Sequence, residues 1–187
     1  MVDKLDAPID DETLARRAKN DSEAFSVLYR RYLDRVYRYL LSRVGLVQEA
    51  QDLTSQTFMA AWEGIARYQG QGVFAAWLFG IARRKANDYF RASRIEIALD
   101  EIEDFPGDSL SPEVLVETHM HMEQVAHCLS RISAERAEAL ALRVFGGLSA
   151  AETGELMGKR EDAINTLVHR AMRDLRQQLV TTVEVES

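Results

Sequence analysis

Ser149-Ala150-Ala151-Glu152-Thr153-Gly154-Glu155-Leu156-Met157-Gly158-Lys159-Arg160-Glu161-Asp162-Ala163-Ile164-Asn165-Thr166-Leu167 carries the strongest local signal in the chain. Ser149 and Glu152 have the spacing of a capping box, with Leu148 before them as a staple. A hydroxyl and a carboxylate so placed satisfy backbone donors reciprocally, so a helix starts there. Gly158 closes it early, because glycine accepts the left-handed conformation that ends a helix. A second helix is predicted from about 160 to 179, with Ile164, Leu167, Val168, Ala171 and Leu175 inward. Two helices crossing this closely need a small residue at the crossing, a glycine in the turn and an apolar anchor beyond it. Gly154, Gly158 and Ile164 meet those needs at spacings of four and six. Asn165, Thr166, His169, Arg170 and Arg173 then share the outer face, as a helix entering the DNA major groove requires, with Arg160 at its start. Asn and Arg suit bidentate contacts to base edges. An ordinary helical hairpin with a solvated polar face fits the same residues.

The periodicity upstream is also helical. A short helix is predicted near Thr13–Lys19. Asp21 or Ser22 caps a long one whose inward face is Phe25, Leu28, Tyr29, Tyr32, Val36, Tyr37, Leu40 and Val44, ending at Gly45. Another runs from about 48 to 67 with Leu53, Thr57, Phe58, Ala61, Trp62 and Ile65 inward. Gly70-Gln71-Gly72 is a break, and a further helix buries Phe74, Trp77, Leu78, Ile81, Ala82 and Tyr89. From Ile95 to Leu110 the periodicity fades, and Pro106-Gly107-Asp108-Ser109 reads as loop. Ser111-Pro112 opens a helix continued by Leu115, Met122, Val125, Ala126 and Leu129, and Ser133 caps one that ends at Gly146-Gly147. The expected fold class is all-α, two small helical domains at 10–94 and 113–180 joined by an acidic linker at 95–112.

Charge is distributed unevenly. The net is -7, yet residues 1–94 carry +3, residues 95–117 carry -8 and residues 118–187 carry -2. Between Arg67 and Arg94 six cations face only Asp88, a local +5 that suits a phosphate backbone. In Trp77-Leu78-Phe79-Gly80-Ile81-Ala82-Arg83-Arg84-Lys85-Ala86-Asn87-Asp88-Tyr89-Phe90-Arg91, basic and aromatic side chains interleave on one helix. Arg83, Arg84, Lys85, Asn87 and Arg91 have the spacing to line a strand's phosphates, with an aromatic or a nearby loop to receive an unstacked base. The alternative places Trp77, Tyr89 and Phe90 in the core and the cations on a solvated rim.

Taken in order, these segments resemble the extracytoplasmic-function (ECF) sigma factors of the sigma-70 family, over about residues 10–180. The opening signature is matched by Asp21-Ser22-Glu23-Ala24-Phe25-Ser26-Val27-Leu28-Tyr29-Arg30-Arg31-Tyr32, and the helix that docks on the polymerase clamp by Asp52-Leu53-Thr54-Ser55-Gln56-Thr57-Phe58. Trp77 through Asp88 and Arg91 resemble the helix that reads the minus-ten element, and Glu152 through Arg176 the region that reads the minus-35 element. The resemblance implies polymerase contacts through Asp52, Ser55, Gln56 and Phe58. It implies minus-ten contacts through Tyr68, Gln69, Gln71, Phe74, Arg83, Arg84, Lys85, Asn87, Asp88 and Arg91. It assigns minus-35 contacts to Arg160, Asn165, Thr166, His169, Arg170 and Arg173. Core RNA polymerase, promoter DNA and an inhibitory anti-sigma factor are the implied partners. The chain departs from the family at Ser55-Gln56, where Gln-Glu is usual, and at Arg84, where Asn is frequent.

No phosphate-binding glycine loop, zinc-ligand set or nucleophile elbow occurs, so no enzyme and no cofactor are expected. The rival to a sigma factor is a free-standing helix-turn-helix regulator that binds its own operator. That reading leaves the aromatic-basic helix without a role. The lone Cys128, the acidic N-terminus and the absence of a long apolar run suit a soluble cytoplasmic protein. His119, His121, His127 and Cys128 fall within ten residues, and His119, Glu123 and His127 have a spacing that can bind a metal. Linker-helix packing explains the same cluster, and no metal site is predicted.

Overall fold

The computed structural model describes residues 9–70, 73–99, 122 and 124–185, with helix as the regular structure throughout. The helices are α1 (Asp11–Arg17), α2 (Ser22–Val44), α3 (Val47–Gly64), α4 (Phe74–Leu99), α5 (within 124–130), α6 (Ala134–Val144), α7 (Ala150–Met157) and α8 (Glu161–Val185). The acidic joint expected at 95–112, with its Pro106–Ser109 loop and Ser111-Pro112 cap, lies outside the described residues from 100 onward. So do His119, His121 and Glu123.

Local chemistry sets the helix ends. The Asp21 carboxylate accepts from the Glu23 backbone N–H at 3.0 Å to start α2. Gly45, at φ 75°, ends it by donating to the Leu41 carbonyl. The capping box at α7 is complete: the Glu152 N–H donates to Ser149 Oγ at 3.1 Å, and the Ser149 N–H donates back to Glu152 at 2.6 Å. Ser133 precedes α6 as expected but makes no side-chain capping bond. Two helices outrun the sequence pattern, because α4 continues to Leu99 and α8 to Val185. The helix expected over 48–67 instead tightens into a 3₁₀ turn at Ile65–Arg67.

The larger core gathers Leu28, Tyr32, Val36 and Leu40 of α2, Leu53, Phe58 and Ala61 of α3, and Phe74, Leu78, Phe79 and Ala82 of α4. Edge-to-face ring pairs Tyr32–Phe74 and Tyr39–Phe79 knit α2 to α4. Leu14 and Ala15 close the bundle from α1. A smaller cluster of Leu129, Ala137, Leu140 and Ala171 holds α5, α6 and α8 together. Tyr29 and Trp62, expected inward, are 39% and 47% exposed. They lie at the border of their stripes, where Phe58 and Phe25 take the covered positions beside them.

The two blocks are packed against each other. Ala141, Leu142 and Leu148 of the second block enter the first block's core. Arg35 of α2 donates from Nε and Nη2 to the Gly146 carbonyl at 3.0 and 2.6 Å, while its guanidinium lies over the Tyr32 ring. Glu138 of α6 is buried and accepts from the Tyr39 hydroxyl at 2.8 Å. Its carboxylate also meets Arg43 at 3.2 Å and Arg83 at 3.5 Å. One acid thus ties α2, α4 and α6, an arrangement that offsets the cost of burying its charge.

Candidate nucleic-acid interface

The α7–α8 pair forms a tight helix-turn-helix. A Cβ added to Gly154 would stand 2.6 Å from the Lys159 carbonyl, and Gly158 turns the chain at φ 65°. Only a residue without a side chain lets the two helices meet here. Ile164 and Ala171 are fully buried, and Leu167 and Val168 are half-buried. Lys159–Glu135 and Arg136–Asp174 ion pairs, both 2.6 Å, brace the motif on α6. Asn165, Thr166, His169, Arg170 and Arg173 are all exposed. The Thr166 hydroxyl donates to the Asp162 carbonyl at 2.9 Å, so its proton is spent within the helix. Arg160 stands free of the helix body, in an exposed pair with Asp162 at 3.3 Å.

On α4 the expected residues divide. Arg84, Asn87, Asp88 and Arg91 are exposed, with Arg91 and Asp88 paired at 3.5 Å, and Lys85 is half-buried. Arg83 is held by the other block: besides Glu138, its Nη1 donates to the Leu156 carbonyl at 2.8 Å. A cleft of about 880 Å³ lies between α3, α4 and α7, with Trp77 and Ile81 on its lining, Arg67, Arg84 and Lys85 on one side and Glu155 on the other. Helix α7 reaches α4 at Gly80, whose added Cβ would already touch Leu156 at 3.4 Å.

The loop before α4 differs from expectation. Tyr68 and Phe74, both expected at the DNA, are buried at 4% and 1% exposure. Apolar rings of this size are worth more in the core than in water, and each packs on Trp77, at 5.1 and 5.6 Å. Gln69, Gly70 and Val73 are the exposed residues here, and Gln71 lies outside the described residues. The Tyr68 hydroxyl donates to Glu12 Oε2 at 2.6 Å, and the Phe74 N–H donates to Glu12 Oε1 at 2.5 Å.

Residues 28–95 match the family profile for sigma-70 region 2, and residues 122–175 match that for sigma-70 region 4. The ECF RNA polymerase sigma factor BldN of Streptomyces coelicolor is 39% identical over 171 residues, covering 90% of this chain and 65% of BldN. This chain is an ECF sigma factor of the sigma-70 family. The RNA polymerase sigma factor YlaC of Bacillus subtilis is 28% identical and is spanned over 94% of its length. Among solved structures, CnrH in complex with the cytosolic domain of CnrY superposes with a TM-score of 0.67 at 24% identity, over 91% of this chain and 97% of CnrH, which shows the shared fold.

A third face of this sigma factor is on α3. Asp52, Ser55 and Gln56 are exposed on one stripe, and the Ser55 hydroxyl donates back to Gln51. Phe58, expected on that face, is buried at 6% and meets Tyr29 edge-on at 4.7 Å. Its place beside the polar residues is taken by Met59 and Trp62, 64% and 47% exposed. Sequence reasoning missed Met59 entirely. The available signal was its position seven residues after Asp52, on the same helix face. Among the described residues no group of three or more His, Cys, Asp or Glu side chains is placed to hold a metal ion. No helix among them is long and apolar enough to cross a membrane.

Proposed function

We propose that this ECF sigma factor directs bacterial core RNA polymerase in the cytoplasm to a set of promoters and assists their melting, without catalysing a reaction itself. The observation that supports this reading is the coexistence in one chain of two exposed polar or basic helix faces suited to DNA. One is the exposed α8 stripe on its helix-turn-helix, and the other is the basic α4 face beside an exposed loop.

Residues 10–94 form the unit that binds the polymerase clamp through Asp52, Ser55, Gln56, Met59 and Trp62. This unit also reads the minus-ten element through Gln69, Gln71, Arg83, Arg84, Lys85, Asn87, Asp88 and Arg91. Tyr68 and Phe74 frame the loop that takes an extruded base, rather than touching it. The cost of unstacking, a few kcal/mol, is met by contacts to that base. Residues 113–180 place Asn165, Thr166, His169 and Arg170 in the minus-35 major groove, with Arg160 and Arg173 at phosphates. Residues 95–112 are the acidic joint between the two units. An anti-sigma factor is the proposed inhibitor, as in the solved complex of the sigma factor RpoE with the anti-sigma factor NepR from Bartonella quintana, which shares this fold.

Arg83 is held by α7 and Glu138 in the packed arrangement. Promoter reading therefore requires the blocks to part. The test is transcription in vitro with purified core polymerase on fragments of the source genome, with and without this chain. Discrete transcripts that depend on the chain are expected, and aligning their start sites yields both promoter elements. Specific binding of duplex DNA by the chain alone, with no dependent transcript, would instead identify a free-standing regulator.

A further inference from the structure

Helix α8 carries acids of its own beside the arginines assigned to DNA. Asp162 meets Arg160 at 3.3 Å with both side chains solvated. An exposed pair of this kind is worth little and yields readily to a phosphate. Asp174 is different. It follows Arg173 directly, and only 20% of its side chain is exposed. A carboxylate held at the edge of a nucleic-acid surface opposes binding twice: it repels the phosphates, and it competes with them for the neighbouring guanidinium. The structure shows this acid already engaged from behind. Arg136 of α6 donates from Nη1 to Asp174 Oδ2 at 2.6 Å, a short charge-assisted bond. Arg173 Nε stands 4.0 Å from the other oxygen, beyond hydrogen-bond reach, with 62% of its side chain exposed. The two separations rank the partners: Arg136 is bonded to the acid, and Arg173 is left to turn outward. Ala137, next to Arg136, is buried with Leu140 of α6 and Ala171 of α8, so the cation is mounted on a helix packed against α8 itself.

We propose that Arg136 is a positioning residue for minus-35 binding, neutralising Asp174 so that Arg173 is left for a DNA phosphate. The proposal rests on the reading above that places Arg173 at a phosphate. Without Arg136 the half-buried carboxylate still has Arg173 beside it, and pairing the two removes a phosphate contact. Arg136 touches no DNA in this role; it acts through Asp174.

The experiment uses full-length protein with core polymerase on a duplex promoter obtained from the transcription assay, kept cold so that closed complexes are read. Affinity is measured at several salt concentrations for each variant. Arg173→Ala sets the scale and should lower the salt slope by about one. Arg136→Ala should lower it by the same amount and weaken binding about ten-fold near 0.1 M salt. Asp174→Asn alone should leave the slope at the wild-type value, and adding it to Arg136→Ala should restore that value. Adding Arg136→Ala to Arg173→Ala should lower the slope no further. Glu135→Ala cuts the other ion pair from α6, to Lys159, without touching Asp174, and should not lower the slope. A wild-type slope in Arg136→Ala, beside a normal loss in Arg173→Ala, would overturn the proposal alone. So would a lowered slope that Asp174→Asn fails to restore, which would make Arg136 a phosphate contact or a strut. An equal loss in Glu135→Ala would also refute it, since any loosening of the motif would then suffice. If Arg136→Ala fails to fold, Arg136→Gln, which keeps most of the stem, carries the same expectations. An unaltered slope in Arg173→Ala would sink the placing of Arg173 at a phosphate, and the proposal with it.

Discussion

Tyr32, Tyr39 and Tyr68 each donate a phenolic proton to a carboxylate, of Asp11, Glu138 and Glu12 respectively. Burial, and then the facing acid, pushes all three phenols above their ordinary value of 10. The folded state holds these protons more tightly than the unfolded chain. Their contribution is therefore complete below pH 10 and is lost as pH rises through the folded values. Stability should fall steeply in alkali, by at most about 1.4 kcal/mol per pH unit for each phenol. Denaturant melts between pH 8 and 11 would measure this, and Tyr39→Phe should lessen the slope. A slope unaltered by that change would place the alkaline lability elsewhere. None of these pairs was legible in the sequence, because each joins residues at least 21 positions apart. Locally, Glu12 and Glu138 look like ordinary acids of exposed helix faces.

At the scale of the element, the helix-turn-helix was the most legible part. Its capping box, its two glycines and its outward stripe are short-range requirements that chemistry writes within some twenty residues. Gly154→Ala should destabilise the second block by about 1–3 kcal/mol, since the new methyl has only the Lys159 carbonyl to push against. Loss of minus-35 duplex binding with a lowered melting temperature would bear this out; an unchanged melting temperature would not. On α8, Asn165→Ala should relax preference at one minus-35 position by about 1–3 kcal/mol. Arg173→Ala should weaken all sequences alike and reduce the salt slope. Titrations of mutated minus-35 duplexes at several salt concentrations separate the two. The α3 face was read less well: periodicity put both Phe58 and Trp62 inward and the family resemblance put a polymerase contact on Phe58, whereas Phe58 is buried and Trp62 is 47% exposed. Such border positions are settled by which neighbour covers them, here Tyr29 against Phe58.

For the whole molecule, size becomes an argument. A compact chain of 187 residues has a radius of gyration of about 16 Å, and so spans roughly 40 Å. Elements centred near minus ten and minus 35 lie about 25 base pairs apart, or roughly 85 Å at 3.4 Å each. The packed arrangement is too small to touch both at once. Glu138 is the side chain that most directly holds it, joining Tyr39, Arg43 and Arg83. Glu138→Ala leaves two arginines without their acid and should weaken the packing strongly. Small-angle scattering is expected to show an expanded chain for this variant, and a single-stranded minus-ten oligonucleotide to bind it more tightly because Arg83 is released. Identical scattering from variant and wild type would show that the apolar contacts of Leu142 and Leu148 suffice. This packing could not be foreseen, since the domain pattern is equally compatible with two separate units.

The grips between the blocks differ in what sort of group receives them. Arg35 ends on the main-chain carbonyl of Gly146 and Arg83 on that of Leu156 as well as on Glu138, whereas Tyr39 and Arg43 end on the Glu138 side chain. No codon change deletes a peptide oxygen. In a genetic selection for alleles that escape inhibition, replacements of the Leu156 side chain would leave its acceptor intact. Changes at Arg83 would remove a group to which the proposed minus-ten reading assigns a DNA contact. The permissive alleles should therefore collect at Arg35 and Glu138, two codons far apart in the gene that disable the same latch.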